Sequence, residues 1–585
     1  MTSGCSPLAY RPLRAPREDR SVLIDPPLEK VGAMVAANVA ARSAAALDVG
    51  GISCDELARQ AREELLAEAI RYTSSYRDVA GGMPTRIRRS VMPSRSVGMA
   101  SDVHGDASVA MPPSTIFLAG HQPQLFHPGV WLKNFALGAL ARQHRAVAVN
   151  LVIDSDSMKT HALRVPGGSV VRPQVALVPL DDPGPAIPFE ERRILNRGVF
   201  VDFGRRAAEQ IAPLVPEPIV RRWWPSVVAR SAQTDNLGTC LAQARHQLEG
   251  QFGLNTLEIP QSHVCRMHSF AHYTAYLLAE LPRLVQVYNG AVREYRRLHR
   301  IRSTAHPFPD LTVDGPWHEA PYWVWSQEDP RRRRLFVRRD PDRLLLSDRE
   351  RIEISLPCSP DGDLRAAAGR LVELAAGPVR IRSRAMVTTL FARLFLGDLF
   401  LHGIGGAKYD QVTDALIERF FGLRPPGYLV VSATLHLPIV RQGVTAEDLR
   451  AVDWRLRELT WHPENLVAGA GWRVPGDVGG SVAGGGCRVA GEGCRLAELI
   501  AAKSRWINAP QTPENARTRW LEIRRINQEL RPWVAAQREQ LLRERDRLTH
   551  ALAAEKILAW REYAFCLFPE STLREFLERI LPGDT

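Results

Sequence analysis

One segment in the first third of the 585-residue chain constrains its fold more than any other. Two short apolar runs, Ser114–Ala119 and Ala146–Ile153, enclose a Gly/Pro/His turn at Gly120–Gly129 and a stretch with helical apolar spacing at Val130–His144. Short apolar runs bounded by turn residues predict buried strands, and the spacing between them predicts a helix. A strand, a helix and a strand in this order predict neighbouring parallel strands. Polar residues that end such strands are expected at one edge of the sheet, where ligands bind in open α/β folds.

The rest of the chain predicts an α/β fold with three parts. Strand-like and helix-like stretches alternate over residues 114–435, which predicts a Rossmann-like parallel-sheet core with an inserted mixed subdomain. Residues 1–113 predict N-terminal helices followed by a flexible linker. Residues 436–585 predict a long helical hairpin, or coiled coil, with a kink at Pro532 and a tip at 469–493 that contains ten glycines.

The net charge of +12 raises the question of a nucleic-acid partner, which the charge pattern argues against. Acidic residues are interleaved with the arginines, and the densest basic run, Arg331–Arg334, follows Asp329 in what reads as a solvated hairpin. Aromatic residues are not spaced between basic ones as a base-stacking surface requires. We therefore expect no nucleic-acid partner.

The sequence is also unlike that of a membrane protein or a secreted protein. No run of 18 apolar residues occurs, so we expect no membrane partner. No apolar segment follows the arginines of the first twenty residues, and the eight cysteines form no CxxC pair. These features predict a cytoplasmic protein.

The first candidate site block is the Gly120–Gly129 turn with the start of the helix that follows it. A histidine or amide beside a helix amino terminus can hold an anionic group and stabilise charge that develops on it. Structural histidines in a capped turn are the alternative. The candidates in this block are His121, Gln122, Gln124, His127, Lys133 and Asn134.

Asp154 and Asp156 form the second block, directly after an apolar strand. Alternate carboxylates there could bind Mg²⁺ or Mn²⁺ on a diphosphate, or orient a substrate amine. Strand-end aspartates also cap the helices that follow them, so that interpretation stays open.

The third block is a loop-like stretch in the second half of the chain, with three glycines followed by basic, phenolic and acidic side chains. Glycines allow a backbone to approach a ligand closely, although a tight turn alone would also explain them. Its candidates are His402, Gly405, Gly406, Lys408, Tyr409 and Asp410. Lysine placement supports both outer blocks: only six of the 76 basic residues are lysines, and three of those six lie within 120–161 and 401–415.

Together the three blocks resemble the cysteine-adding enzymes of bacillithiol biosynthesis. Gly120–Leu125 is similar to the G-Q-Q-x-G-L turn of that family, Ile153–Asp156 to its acidic strand end, and Gly405–Tyr409 to its G-G-x-x-E-x-x-Y loop. His121 stands where the family turn has glutamine, and Lys408 where its loop has an acidic residue. Over about residues 25–565, the resemblance implies a nucleotidyltransferase-like core and a coiled coil that dimerises.

These observations lead to one main functional hypothesis and two alternatives. We expect a ligase or transferase that joins an amine-bearing small molecule to an activated carboxyl or phosphoryl group, for example cysteine to an amino-sugar conjugate, in a biosynthesis of the low-molecular-weight thiol type. His121, His127, Lys133 and Lys408 are its predicted catalytic residues, and the other candidates bind substrate. The alternatives are a metal-dependent nucleotide-sugar transferase that uses Asp154 and Asp156, and a non-catalytic scaffold whose helices bind a partner. The sequence leaves the cofactor unknown, with a nucleotide and Mg²⁺ or Mn²⁺ as the candidates.

Overall fold

The structure, a computed structural model, describes Leu8 and residues 10–79, 115–359, 361–468 and 490–580. It is a mixed α/β fold with a parallel-strand sheet, and about half of the described residues are helical, so the predicted class is confirmed. The predicted linker at 81–113 and residues 469–489 of the predicted glycine-rich tip lie outside the described residues. Among those described, no helix is both long and apolar enough to cross a membrane.

The strands are numbered in chain order. They are β1 Ser21–Asp25, β2 Ile116–His121, β3 Val147–Val152, β4 Ala162–Gly168, β5 Pro173–Pro179, β6 Leu257–Pro260, β7 Val313–Asp314, β8 Trp317–Ser326, β9 Arg333–Arg339, β10 Arg343–Ser347, β11 Glu353–Pro357, β12 Val379–Ser383, β13 Leu399–His402 and β14 Leu429–Thr434.

The α-helices are numbered in the same way. They are α1 Val31–Ser43, α2 Cys54–Ser74, α3 Pro128–Gln143, α4 Arg197–Ile211, α5 Val220–Arg230, α6 Leu237–Gln251, α7 Gln261–Val264, α8 His268–Ala279, α9 Leu281–Leu298, α10 Arg365–Ala376, α11 Ala385–Phe391, α12 Ile404–Arg419, α13 Ala446–Trp461, α14 Pro463–Ala468, α15 Ala490–Asn508, α16 Ala516–Leu530, α17 Ala535–Leu558 and α18 Glu570–Ile580.

The first sheet has the strand order β1-β14-β13-β2-β3-β6. Its neighbouring strands are parallel except for β1, which pairs antiparallel with β14. Counted along the chain, the five parallel strands lie in the order 3-2-1-4-5, so the direction of winding reverses between β2 and β13. In open α/β sheets, ligands bind beyond the carboxyl ends of the strands at such a reversal.

The predicted strand–helix–strand unit is confirmed, with two shifts at its turn. β2 continues through Gly120 and His121, because these residues pair with Leu151 and Val152 of β3. α3 begins at Pro128, earlier than its apolar pattern suggests, because the His127 side chain caps it. The two ends of the turn are thus fixed by the strand and by the helix.

Helices cover both faces of this sheet. On one face, Ile116, Leu118 and Val149 join a buried apolar cluster with Leu57 and Leu65 of α2. On the other face α3 packs against β14, β2 and β3. Strands buried on both sides read as continuous apolar runs, which is why β2 and β3 could be recognised in the sequence.

A second sheet lies within residues 114–435, the stretch for which the sequence predicted a core with an inserted mixed subdomain. Its order is β11-β10-β9-β8-β12, with antiparallel neighbours and β7 paired to β8. Arg333 and Arg334 open β9, and each residue of the predicted solvated run, Arg331–Arg334, has an acidic partner. The run therefore offers no free basic patch.

Contacts divide the chain into two compact units, whose residue ranges are not those of the three predicted parts. The larger unit contains residues 1–168, 175–438 and 560–585, so α1, α2 and β1 belong with the sheet. The smaller unit contains residues 169–174 and 439–559. Its helices include α13 packed on α17 and α15 packed on α16.

Two local predictions in the smaller unit are confirmed. Thr445 and Asp448 form a reciprocal capping box at the start of α13. A short 3₁₀ segment, Arg531–Val534, separates α16 from α17 at the expected position of Pro532. The predicted long helix is therefore two helices, because proline cannot donate the backbone hydrogen bond that would continue the first one.

Asp398, just before β13, should be a main anchor of the first sheet. Its buried carboxylate accepts a hydrogen bond from the Ile116 N–H at 2.8 Å and pairs with Arg62 at 2.8 Å and Arg42 at 2.6 Å. Asp398→Ala would leave two shielded guanidinium groups without this anion, so we expect a loss of about 3–5 kcal/mol in unfolding free energy.

Urea denaturation measures this loss, with Glu63→Ala as the control. Glu63 forms an exposed pair with Arg59 on α2, and its removal should change the unfolding free energy by less than about 0.5 kcal/mol. Equal effects of the two substitutions would contradict the role of Asp398.

Candidate functional site

The carboxyl ends of β13, β2 and β3 lie side by side and carry the predicted site blocks. Leu401 pairs with Ala119, and His121 pairs with Val152, so all three strands end at the same edge. Successive residues of a strand point to opposite faces of a sheet. His121 therefore shares a face with Ala119 and Leu401, whereas His402 points to the opposite face. The structure divides the predicted residues into two groups accordingly.

His402, the last residue of β13, and Asp410 of α12 form a buried pair. The His402 Nε2 atom lies 2.8 Å from Asp410 Oδ2, although the two are not aligned for a hydrogen bond. Burial alone would raise the pKa of Asp410, but the charges of Arg393 and His402 outweigh it and hold this pKa at about 2. Asp410 is thus an ionised carboxylate that fixes the environment of His402.

Arg393 holds the Asp410 carboxylate in position. Its guanidinium is 1% exposed and donates to Asp410 at 2.7 Å and to Asp414 at 2.7 Å. The Tyr428 ring lies 4.8 Å from this guanidinium and packs edge-on against His402. One cation therefore organises two acidic groups and the aromatic wall beside the imidazole.

The predicted glycine loop after His402 is wrong, because these residues form the first turns of α12. Gly403 is the extended N-cap residue, and Gly405 and Gly406 are helical. None of the three has a positive φ angle, so a tight turn does not explain them. At Gly406 the reason is packing, since a Cβ atom there would lie 2.6 Å from His402 Nδ1.

Asp156 is held by three groups at the end of β3. It accepts hydrogen bonds from Gln122 Nε2, from the Ser157 N–H at 2.9 Å and from Arg332 Nη1 at 2.9 Å. Arg332 lies over Trp323 of β8, 4.9 Å from the ring centre, which orients its guanidinium. The second sheet thus supplies the cation that balances this carboxylate.

Asp154 has a different environment. Its two oxygens accept hydrogen bonds from the N–H and the hydroxyl of Ser262, at 2.9 Å for the N–H. Burial, and then the nearby Glu190 carboxylate, raise the pKa of Asp154 to about 7. Arg382 does not cancel this effect, because it is paired with Glu190 itself at 2.9 Å. Asp154 can therefore exchange a proton near neutral pH.

Tyr409 links the second and third predicted blocks. Burial raises the pKa of its hydroxyl, and the charges of Asp156 and then Asp410 raise it further. Phe308 packs against its ring at a centroid distance of 5.1 Å. The phenol therefore stays protonated, within electrostatic range of both carboxylates.

His121 and Asn134 lie on the opposite face of the sheet, in a buried polar network. Asn134 Nδ2 lies 3.2 Å from His121 Nε2 and donates to Glu249 Oε1 at 2.7 Å. His121 Nδ1 lies 3.2 Å from the Gln122 carbonyl oxygen. Burial, then Arg245 and Lys133, lower the pKa of His121 well below its usual range. It is a neutral imidazole with partners at both nitrogens.

His127 and Lys133 also have partners within the chain. His127 Nδ1 accepts the Gly129 N–H at 3.1 Å, and burial followed by Arg561 lowers its pKa to about 4. Lys133 Nζ donates to the Gly120 carbonyl oxygen, and burial followed by Arg245 lowers its pKa to about 8. Both contacts fix the turn between β2 and α3. The predicted catalytic roles of His121, His127 and Lys133 stay predictions.

Three other predicted residues lie at the surface. Gln124, Gly405 and Lys408 are exposed. Lys408 has no ion-pair partner among the described residues, and its predicted catalytic role also stays a prediction. The groups brought together at the edge are Gln122, Asp154, Asp156, His402, Tyr409 and Asp410.

The contacts of Asp154 and Asp156 do not favour a divalent cation. Ser262 donates to both carboxylate oxygens of Asp154, and the Arg332 guanidinium is already paired with Asp156. A further set with metal-like spacing among the described residues is His246, Glu249 and Glu258. There Arg245 bridges the two glutamates, and both nitrogens of His246 have partners. Neither set resembles a metal centre.

Sequence patterns alone missed several groups at this edge. Glu190, Ser262, Arg332, Arg382 and Arg393 come from segments without a recognisable motif. Only Arg332 stood out in the sequence, because it belongs to the densest basic run. That run was interpreted as a solvated hairpin. A search of protein-family models found no match to the chain, and a search of curated proteins found no similar sequence.

Gly406 should matter for His402 in a way that Gly405 does not. Gly406→Ala places a methyl group against the buried imidazole, so we expect a loss of about 1–3 kcal/mol in unfolding free energy and a displaced ring. Gly405→Ala meets only the Tyr409 hydroxyl at 3.6 Å and should be neutral or slightly stabilising. Urea denaturation and the imidazole proton shifts measure both effects, and the same outcome for the two variants would contradict the packing argument.

The raised pKa of Asp154 predicts a pH-dependent stability. The folded state holds this proton up to about pH 7, so its contribution is complete below pH 4 and is lost as the pH rises to 7. Asp154→Asn should remove this part of the decline, which amounts to about 2–3 kcal/mol between pH 5 and pH 8. Urea unfolding at pH 5 and pH 8 tests it. Asp235→Asn, at an exposed residue, should keep the parental decline.

Proposed function

We propose that this chain is a ligase or transferase that joins an amine-bearing small molecule to an activated carboxyl or phosphoryl group. Asp154 carries the proposal. It is a half-buried carboxyl group with a pKa of about 7 at the carboxyl edge of a parallel sheet. A general base is most effective when its pKa lies close to the working pH.

In the proposed reaction the substrate amine attacks the activated carbon or phosphorus atom. The nitrogen forms the new bond, the bond to the leaving group breaks, and the proton lost by nitrogen passes to Asp154. Asp156 is not a second base in this scheme, because Arg332 neutralises it. Its role would be to orient the amine, with Gln122 holding the carboxylate.

The start of α12 supplies the complementary site for an anion. The first N–H groups of a helix have no partner within the helix, and α12 is 16 residues long. Gly405 is exposed and Gly406 is half-buried there, and neither glycine adds a side chain of its own over these N–H groups. They would receive the developing negative charge of the activated group, beside the His402–Asp410 pair.

The resemblance to the cysteine-adding enzymes of bacillithiol biosynthesis supports the substrate class. In that interpretation the amino-sugar conjugate would provide the amine and cysteine the activated carboxyl group. The 3-2-1-4-5 strand order is compatible with a Rossmann-like, nucleotidyltransferase-like core. We propose further that the helices of residues 439–559 form a coiled coil through which two copies dimerise.

A thermal-shift panel tests the substrate class directly. The ligands are ATP, a nucleotide sugar, cysteine and glucosamine derivatives, each with and without Mn²⁺. We expect cysteine or a glucosamine derivative to stabilise the protein without Mn²⁺. Stabilisation by a nucleotide sugar only with Mn²⁺ would favour the metal-dependent transferase, and no response to any ligand would favour the scaffold.

Asp154→Asn separates chemistry from binding once a stabilising ligand is found. The amide keeps the size of the side chain but cannot accept a proton, so we expect at least about a 100-fold loss of turnover with ligand stabilisation preserved. Asp235→Asn is the matched control at an exposed position. Full turnover by Asp154→Asn would contradict the assignment of the base.

A further inference from the structure

A cavity of ≈ 420 Å³ lies at the end of the first sheet opposite to the candidate site. Val147 and Ala148 open β3 and line the cavity, whereas Asp154 is the second residue beyond the end of β3. Six strand residues span about 20 Å, so the two regions are well separated. The volume falls in the range of small-molecule sites.

Small and apolar residues form the floor of the cavity. Gly138 and Ala141 of α3 face Ala146, Ala148 and Leu257 across it. The three alanine side chains are small, and the surface that they present to the cavity is apolar. Such a floor suits a hydrocarbon or aromatic group rather than a hydrated inorganic ion.

The rim of the cavity is positively charged. Arg77, Arg142 and Arg145 line it, and Asp78 is the one acidic residue among the lining groups. Arg142 and Arg145 are exposed, and neither forms an ion pair with another described residue. By contrast, every arginine of the 331–334 run has an acidic partner. The two rim guanidinium groups are therefore available to an anion.

One wall of the cavity is fixed by buried hydrogen bonds. Thr256 lines the cavity, is 3% exposed, and its Oγ1 atom lies 2.9 Å from His246 Nε2. His246 Nδ1 in turn lies 2.7 Å from the Tyr76 hydroxyl. Arg77 donates to the His246 carbonyl oxygen at 3.1 Å. The cavity wall is thus held in place before any ligand arrives, which lowers the entropy cost of binding.

We propose that this cavity is a second ligand site, for an organic anion with an apolar body. The body lies on the alanine and glycine floor, and the carboxylate, sulfonate or phosphate group lies between Arg142 and Arg145. Because the cavity shares no residue with the carboxyl edge, this site does not depend on the proposed ligase or transferase reaction.

Binding of 1-anilinonaphthalene-8-sulfonate, an aromatic sulfonate that fluoresces in apolar surroundings, tests the proposal. The full chain should bind one equivalent with a saturable signal. Hexanoate should displace the probe, whereas inorganic phosphate and hexanol, which each carry half of the required chemistry, should displace it much less. Displacement by phosphate as effective as that by hexanoate would overturn the proposed ligand class.

Substitutions locate the site. Arg142→Gln combined with Arg145→Gln changes only exposed side chains and should weaken probe binding about tenfold or more. Ala141→Leu should weaken it similarly by filling the floor. Arg221→Gln is the matched control, because Arg221 is an exposed helical arginine of α5 outside the cavity. Binding by the double variant within about twofold of the parent would overturn the proposal, even if Ala141→Leu failed to fold.

Discussion

The parallel pairing of β2 with both β3 and β13 is the constraint on which the candidate site depends. It brings the end of β2, at His121, and the end of β13, at His402, to one edge, with the reversal of winding between these two strands. Gln122 reaches Asp156, and His402 ends the neighbouring strand, only because these strands are aligned in this way. Buried anchors such as Asp398, which binds the first N–H of β2 from the start of β13, hold the alignment.

Three carboxyl groups at this edge differ because their surroundings differ. Asp410 is buried beside Arg393 and is ionised far below neutral pH. Asp156 is balanced by Arg332 from the second sheet. Asp154 is half-buried near Glu190, and the Arg382 guanidinium is already paired with Glu190, so the pKa of Asp154 rises to about 7. The separation between the pKa values of Asp154 and Asp410 is of the kind that commonly divides acid and base roles between the carboxyl groups of one site.

Local secondary structure could be predicted from the sequence, whereas contacts between distant segments could not. Apolar runs and turn residues located β2, α3 and β3, and the capping box located α13. The glycines after His402 suggested a loop, because packing against an imidazole leaves no sequence pattern. Because lysine is rare in this chain, its positions were expected to have a chemical role. Lys133 and Lys503 do occupy unusual positions, but both donate to backbone carbonyl groups. Arg332 and Ser262 reach the edge only through tertiary structure.

The protonation of Asp154 is the central claim, and nuclear magnetic resonance measures it directly. The side-chain carboxyl carbon of Asp154, assigned by comparison with Asp154→Asn, should be titrated from pH 3 to pH 9. The structure predicts a midpoint near 7, since burial and Glu190 favour the protonated form. A midpoint near 4, the ordinary value for aspartate, would show that this carboxylate cannot be the proposed base.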